Sequence, residues 1–148
     1  MNYREIVFSI GRFNREHRNR IHTIMESEGL FYGQLPILEV VKKAVNALED
    51  KKAEDITVID ISEVSSIAEY FIIANGSNAN QLTAMQDAVD EAFYKEGFHA
   101  KQIEGNRNST WILIDYNDVI VHLFSKEDRL FYDLERIWKD GKGIDLSE

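Results

Sequence analysis

The chain has 148 residues, which suits one domain with its own hydrophobic core, and no cysteine, which excludes disulfides, a thiol nucleophile and cysteine metal ligands. No apolar run approaches the ~20 residues of a membrane-spanning helix and no signal peptide is recognisable, so a cytoplasmic protein without a membrane segment is predicted. The net charge of −9 argues against direct DNA binding and favours docking onto a basic protein, although solubility alone also accounts for an acidic chain.

Residues 1–36 are predicted to form a helical N-terminal extension. They hold five Arg and four Glu, whereas residues 37–148 hold 12 basic and 22 acidic side chains. The apolar residues of 1–27 recur at loosely helical spacing, which ends at Gly29, Gly33 and Pro36. The segment weakly resembles the N-terminal helix of MarR-type transcription regulators. The winged helix-turn-helix that reads DNA in that family is absent, so the segment is interpreted as a leader or a dimerisation helix.

The rest of the chain alternates between helical and strand patterns. In chain order the spacing predicts a helix (37–52), two strands (56–61 and 70–74), a helix (81–94), a short strand (99–103), two further strands (111–114 and 119–124) and a helix (126–138). Strand 119–124 is apolar on both faces, so we expect it inside a sheet that is covered on both sides. The predicted fold class is α/β, a mixed β-sheet with packed helices. Residues 142–148 are predicted to be a tail outside the domain.

The two strands before the last helix are predicted to form a hairpin. The polar residues between them, 115–118, read Asp-Tyr-Asn-Asp, which is typical of a short turn. Asn117 is among the few residue types that tolerate a left-handed backbone, so a tight turn is expected there.

This hairpin and the helix after it carry a dense sequence pattern. Its members are Trp111, Asp115, Tyr116, Asp118, Val119, Val121, His122 and Phe124, followed by Arg129, Phe131, Tyr132, Leu134, Glu135 and Trp138. With Asp60, residues 65–68, 70–73 and 75–77, and Glu104-Gly105 upstream, the pattern resembles the ribosomal silencing factors, the Iojap-like or RsfS family, over residues 37–141. One departure is Asn117, where the family usually has Gly.

The resemblance implies a fold and a function. Members have a nucleotidyltransferase-like α/β fold and bind the large ribosomal subunit through large-subunit protein fourteen. Occupation of that face blocks subunit joining and represses translation. The family is commonly homodimeric in isolation, and its mechanism needs no cofactor and no catalysed reaction.

Candidate partner-binding residues are taken from the same pattern, because aromatic and Arg side chains are enriched at interface centres. They are Trp111, Asp115, Tyr116, Asp118, His122, Arg129, Phe131 and Tyr132. The alternative is that the aromatic members pack the core, with His122 as a core histidine. On the last helix the core stripe is predicted to be Leu130, Leu134, Ile137 and Trp138.

A nucleotidyltransferase-like enzyme or nucleotide-binding protein is the alternative function. Gly76-Ser77 stands between a strand and a helix, where such enzymes hold phosphate. Mid-helix Asp87 and Asp90 are expected to face solvent, and neither they nor the hairpin acids form the strand-borne pair that holds Mg²⁺. No second histidine stands at ligand spacing from His122. No catalytic residue, metal site or cofactor is therefore predicted.

Overall fold

The computed structural model describes residues 36–146, and the extension predicted at 1–36 lies almost entirely outside them. The elements are α1 (Ile37–Asp50), β1 (Glu54–Asp60), β2 (Tyr70–Gly76), α2 (Ala79–Lys95), β3 (Gln102–Glu104), β4 (Trp111–Asp115), β5 (Val119–Ser125), α3 (Lys126–Tyr132), α4 (Leu134–Ile137) and β6 (Lys142–Gly143). The predicted order of helices and strands is confirmed, with boundaries that differ by a few residues. None of these helices is long and apolar enough to cross a membrane.

The strands form one mixed sheet in the order β3-β4-β5-β2-β1-β6. β2 and β5 are parallel along their whole length, from Tyr70 opposite Val119 to Gly76 opposite Ser125. The other pairs are antiparallel. The mixed α/β fold class is confirmed. Because the two central strands are parallel, their carboxyl ends meet at one edge of the sheet, where α2 and α3 begin.

Both faces of the sheet are covered, as the two-sided apolarity of β5 predicted. On one face α1 and α2 bury a continuous core against alternate residues of the strands. From the helices this core takes Val40, Val41, Ala44, Val45, Leu48, Leu82, Met85, Val89 and Phe93. On the opposite face Leu134 of α4 and the loop before β2 cover Ile59, Phe71, Ile73, Leu113, Ile120 and Phe124.

The hairpin of β4 and β5 is confirmed, and its turn shows why Asn stands at position 117. Asn117 has a φ of 73°, in the left-handed region that Asn tolerates. Its backbone N–H donates to Oδ1 of Asp115 at 2.8 Å, and the N–H of Tyr116 donates to the carbonyl of Val119 at 2.9 Å. The Asp115 side chain therefore stabilises the turn from inside.

The last predicted helix is broken in two. Asp133 adopts a left-handed φ of 48° and ends α3, with its N–H donating to the carbonyl of Arg129. The break changes the helical phase, so residues 130 and 134 no longer share a face. The prediction that Leu130 and Ile137 belong to the core stripe is wrong, because both are exposed and only Leu134 is buried. Trp138 does pack against the core on this face.

The tail predicted at 142–148 instead joins the sheet where the structure describes it. Lys142 and Gly143 pair with Asp60 and Ile59 of β1, and the N–H of Ile144 donates to the carbonyl of Val58. Ile144 packs against the core. Sequence spacing gave no indication of this, because a two-residue strand has no periodicity.

Candidate partner-binding surface

The most exposed apolar surface among the described residues lies on α3. Leu130 is 76% exposed and Phe131 80% exposed, and exposed Ile137 follows on α4. Removal of large apolar side chains from water lowers the free energy, so an exposed group of them on a short helix is typical of a binding site. Phe131 was predicted as a partner-binding residue, whereas Leu130 was not.

Beneath this surface lies a cluster of aromatic rings that joins α3 to the sheet. Tyr132 packs on Trp111 with ring centroids 4.5 Å apart, and Trp111 stacks on Phe124 at 5.1 Å. Trp111 and Tyr132 are half-buried, so each retains some exposed surface beside α3. The cluster supports α3 from below and leaves the edges of two predicted site residues accessible.

His122 belongs to the interior of this cluster. It is fully buried, and its Nδ1 accepts a hydrogen bond from Nε1 of Trp111 at 3.2 Å. Phe71 meets the imidazole edge-on, with centroids 5.0 Å apart. His122 therefore lies in the core, as the alternative interpretation expected. A bound partner would contact the side chains that cover His122 and not His122 itself.

Tyr116 is also buried, on the other side of the sheet. Its ring stacks on Phe93 with centroids 3.9 Å apart and an interplanar angle of 8°. Its hydroxyl donates to Oδ1 of Asp90 at 2.6 Å, so the expectation that Asp90 simply faces solvent is wrong. Burial and the Asp90 carboxylate raise the pKa of Tyr116 far above its usual range, because both disfavour the phenolate.

Asp115 is buried as well, whereas Asp118 is half-buried at the turn. Burial raises the pKa of Asp115, and the turn N–H that its side chain accepts opposes the shift. Asp115, Tyr116 and His122 thus offer no surface in this structure. Their role in partner binding stays a prediction. In this structure they could act only by supporting residues that are exposed.

Arg129 lies at the back of α3, with only 11% of its side chain exposed. Its guanidinium donates to the carbonyl of Asp55, to Oδ1 of Asn75 and to Oγ1 of Thr57. Both Nε and Nη2 also contact Oε1 of Glu135, at 2.8 and 2.7 Å. Sequence analysis placed Arg129 among the contact residues, but the structure uses it to tie α3 to β1, β2 and α4.

Side chains of both charges lie beside the exposed face of α3. An open cleft of about 310 Å³ adjoins Leu130, and its lining is formed by Asp55, Asn75, Lys126, Arg129, Leu130, Asp133 and Glu135. Glu127 is exposed on the first turn of the helix. Three of the lining side chains are carboxylates, but Glu135 pairs with Arg129, Asp133 pairs with Arg136, and Lys126 is exposed, so the cleft itself carries mixed charge. The preference for a basic partner rests on the net charge of the chain, −9.

The turn at Gly76-Ser77 does not offer an open phosphate site. Oε1 of Gln81 accepts the backbone N–H of Ser77 at 2.6 Å, and its Nε2 donates to the carbonyls of Lys51 and Lys52 at 3.1 and 2.9 Å. A Cβ added at Gly76 would lie 3.0 Å from the same Gln81 oxygen. The side chain of Gln81 thus fills the place at the start of α2 where nucleotidyltransferase-like enzymes would hold phosphate.

The acidic residues of α2 that were considered as metal ligands also do not form a site. Asp87 and Asp90 both lie on α2, where Asp87 is exposed and Asp90 accepts a hydrogen bond from Tyr116 of the β4–β5 turn. Within residues 36–146, no three side chains of His, Asp or Glu are grouped so as to hold a metal ion.

The chain is similar to known proteins both in sequence and in structure. The family described as "Ribosomal silencing factor during starvation" matches residues 34–148. A protein of Halalkalibacterium halodurans named "Ribosomal silencing factor RsfS" is 36% identical over 108 residues, covering 73% of this chain and 92% of that protein. A Bacillus subtilis protein of the same name is 36% identical over 107 residues, covering 72% of this chain and 91% of its own length. A crystal structure of a Chromobacterium violaceum protein superposes with a TM-score of 0.67 and 32% identity, over 77% of this chain and 94% of that one.

Proposed function

Because the chain belongs to the ribosomal silencing factor (RsfS) family, we propose that it binds the large ribosomal subunit in the cytoplasm through large-subunit protein fourteen. Its bound volume then prevents the small subunit from joining, and translation is repressed. The mechanism is competition for a face: occupancy silences and release restores, with no bond made or broken and no cofactor. The observation that carries the proposal is the exposed Leu130–Phe131 face of α3.

The physical basis for binding is the burial of Phe131 and Leu130 in an apolar recess of the partner. A buried aromatic side chain at an interface centre contributes on the order of 2 kcal/mol, which is about thirtyfold in the dissociation constant. The net charge of −9 contributes to the association rate and to the choice of a basic partner. Raised salt screens these charges, so binding weakens as ionic strength increases.

In isolation the protein is proposed to be a homodimer, since an apolar face of this kind is stabilised when it is covered. Residues 1–36 are proposed to be an extension that the domain does not need for folding. Analytical ultracentrifugation of the full chain, and of a variant that lacks residues 1–36, measures the oligomeric state. Thermal unfolding of the same two proteins shows whether each has a cooperative transition. A truncated chain without a cooperative transition would show that the extension belongs to the core.

The decisive experiment is co-sedimentation with isolated large and small ribosomal subunits. We expect pelleting with large subunits only, by the full chain and by the variant that lacks residues 1–36. Phe131→Ala should weaken the binding about thirtyfold with little loss of stability, because its side chain is already exposed. Tyr94→Ala is the matched control, since Tyr94 is a 65% exposed aromatic residue on α2. Pelleting with neither subunit would remove the functional assignment.

The nucleotide-binding alternative has an equally direct test. A ligand that binds only the native state must raise its thermal stability. Because Gln81 fills the turn at Gly76-Ser77, we expect the same melting temperature with and without Mg²⁺-ATP. A rise that depends on nucleotide concentration would favour the alternative.

A further inference from the structure

We propose that Arg129 is a positioning residue of the docking surface: it fixes the orientation of α3, and so of Leu130 and Phe131, without touching the partner. The proposal rests on the proposed function, since it assigns a part to a residue in the binding of the large subunit. It differs from the contact role that sequence patterns suggest for an Arg beside aromatic residues.

The helix α3 needs such a fixture because it is short and poorly buried. It has seven residues, of which none is buried, and a break at Asp133 separates it from α4. Isolated helices of this length are marginal in water, so the orientation of α3 depends on the few side chains that anchor it. Its N-terminus is capped by Ser125, whose hydroxyl accepts the N–H of Asp128. The cap and the ring contacts hold other sides of α3. On the side of β1 and β2, the polar anchor of the helix is Arg129.

The anchor point on the sheet is a backbone irregularity. The register of β1 shifts between Glu54 and Thr57, and Asp55 has a left-handed φ of 51°. A bulge of this kind re-aims backbone groups at the edge of a ladder. Here the carbonyl of Asp55 accepts from Nη1 of Arg129, and buried Asn75 of β2 accepts from the same nitrogen. The bulge therefore has a role: it supplies an acceptor for the residue that holds α3.

The hydrogen bonds of Arg129 turn its guanidinium toward the protein. A guanidinium has five N–H donors. Nε donates to Glu135, Nη1 donates to Asp55 and Asn75, and Nη2 donates to Thr57, so four of the five donors are engaged within the protein. Nη2 also lies 2.7 Å from the Glu135 carboxylate. The next two residues, Leu130 and Phe131, stand exposed. One short helix thus has an anchor turned inward and a docking face turned outward, and the first determines where the second points.

The test uses Arg129→Gln, with Arg136→Gln as the matched control. Arg136 lies on α4, is 79% exposed, and pairs only with the neighbouring Asp133 among the contacts described for it. Each variant removes one positive charge near the surface, so electrostatics alone predicts equal or tighter binding to a basic partner for both. Positioning predicts that only Arg129→Gln weakens pelleting with large subunits, by about tenfold.

Two further measurements distinguish positioning from contact and from general destabilisation. Amide hydrogen exchange should speed up in α3 of Arg129→Gln by about tenfold or more, with the β4–β5 hairpin unchanged. In a Phe131→Ala background, Arg129→Gln should weaken binding by less than it does alone, because both changes act on the same contact.

Three outcomes would overturn the proposal: α3 exchange as in the wild type, wild-type binding by a variant whose α3 exchanges faster, or losses in the double variant that multiply fully. A wild-type protein that does not bind large subunits would end the proposed function and the docking role with it. Failure of Arg129→Gln alone to weaken binding would leave the proposed function standing.

Discussion

The Tyr116 hydroxyl offers the sharpest separation of a core role from a contact role. Tyr116→Phe removes one hydroxyl and keeps the ring that stacks on Phe93. The lost hydrogen bond, 2.6 Å long, ends on the Asp90 carboxylate. Hydrogen bonds to charged groups contribute about 1.5–3 kcal/mol. Asp90 is half-buried and regains water, so the lower end applies, and the free energy of unfolding should fall by about 1.5 kcal/mol.

Urea unfolding followed by tryptophan fluorescence measures this loss, with Trp111 and Trp138 as the probes. For a domain of this size the same loss lowers the melting temperature by about 5 °C. Tyr94→Phe is the matched control, because Tyr94 lies on the same helix as Asp90 with its ring mostly in water. We expect its effect to stay below about 0.5 kcal/mol.

Alkaline pH gives an independent check on Tyr116. Its pKa is raised in the folded state, so folding favours the protonated phenol. The resulting stability is fully present below the unfolded pKa of about 10 and is lost as pH rises above it, by about 1.4 kcal/mol per pH unit. The difference between wild type and Tyr116→Phe should therefore shrink above pH 10. Equal stability of the Tyr116→Phe and Tyr94→Phe variants at pH 7 would refute the reasoning, as would weaker ribosome binding by Tyr116→Phe without any loss of stability.

Three further changes test other parts of the fold, each by urea unfolding. Asp115→Asn should raise the free energy of unfolding at pH 7, because burial raises the pKa of Asp115. The gain should vanish below the unfolded pKa of about 3.9, where the carboxyl is protonated in both states; an equal gain at pH 3.5 would contradict this. Gln81→Ala should lower the free energy of unfolding by about 1–2 kcal/mol, since it leaves the Ser77 N–H and the carbonyls of Lys51 and Lys52 without this partner. An unchanged value would show that water replaces Gln81 without cost. Gly141→Ala should lower the free energy of unfolding by about 2 kcal/mol, because the new Cβ would lie 2.6 Å from Cγ2 of Ile59. Gly143→Ala is the control, because the space around Gly143 is open.

The hairpin shows how far local sequence determines structure here. Two apolar runs on either side of a polar turn, and an Asn that tolerates a left-handed backbone, specify the hairpin and the place of its turn. The two-faced apolarity of β5 also specifies a sheet covered on both sides. The apolar spacing of residues 37–52 and 81–94 likewise specifies α1 and α2. In each case the information lies in a periodicity that spans one element, and such periodicities are carried by the sequence alone.

The candidate site required contacts between elements that are far apart in the chain. Arg129 reaches acceptors at positions 55, 57 and 75, and no local pattern predicts that pairing. Leu130 has core spacing with Leu134, but the left-handed Asp133 shifts the phase between them and leaves Leu130 in water. The aromatic pattern correctly marked the region, but residue type alone could not separate buried members from exposed ones.

By itself, the sequence determined the α/β class, the order of the main elements, the hairpin and the family, because these follow from local periodicity and from residues matched in order. Only the tertiary structure decided which side chains face a partner. Tyr116 and His122 became interior because strands β4 and β5 are covered on both faces, whereas Phe131 stayed in water because α3 packs only its other side. Exposure depends on what lies across from a residue, and the neighbours that decide it are dozens of residues away in the chain.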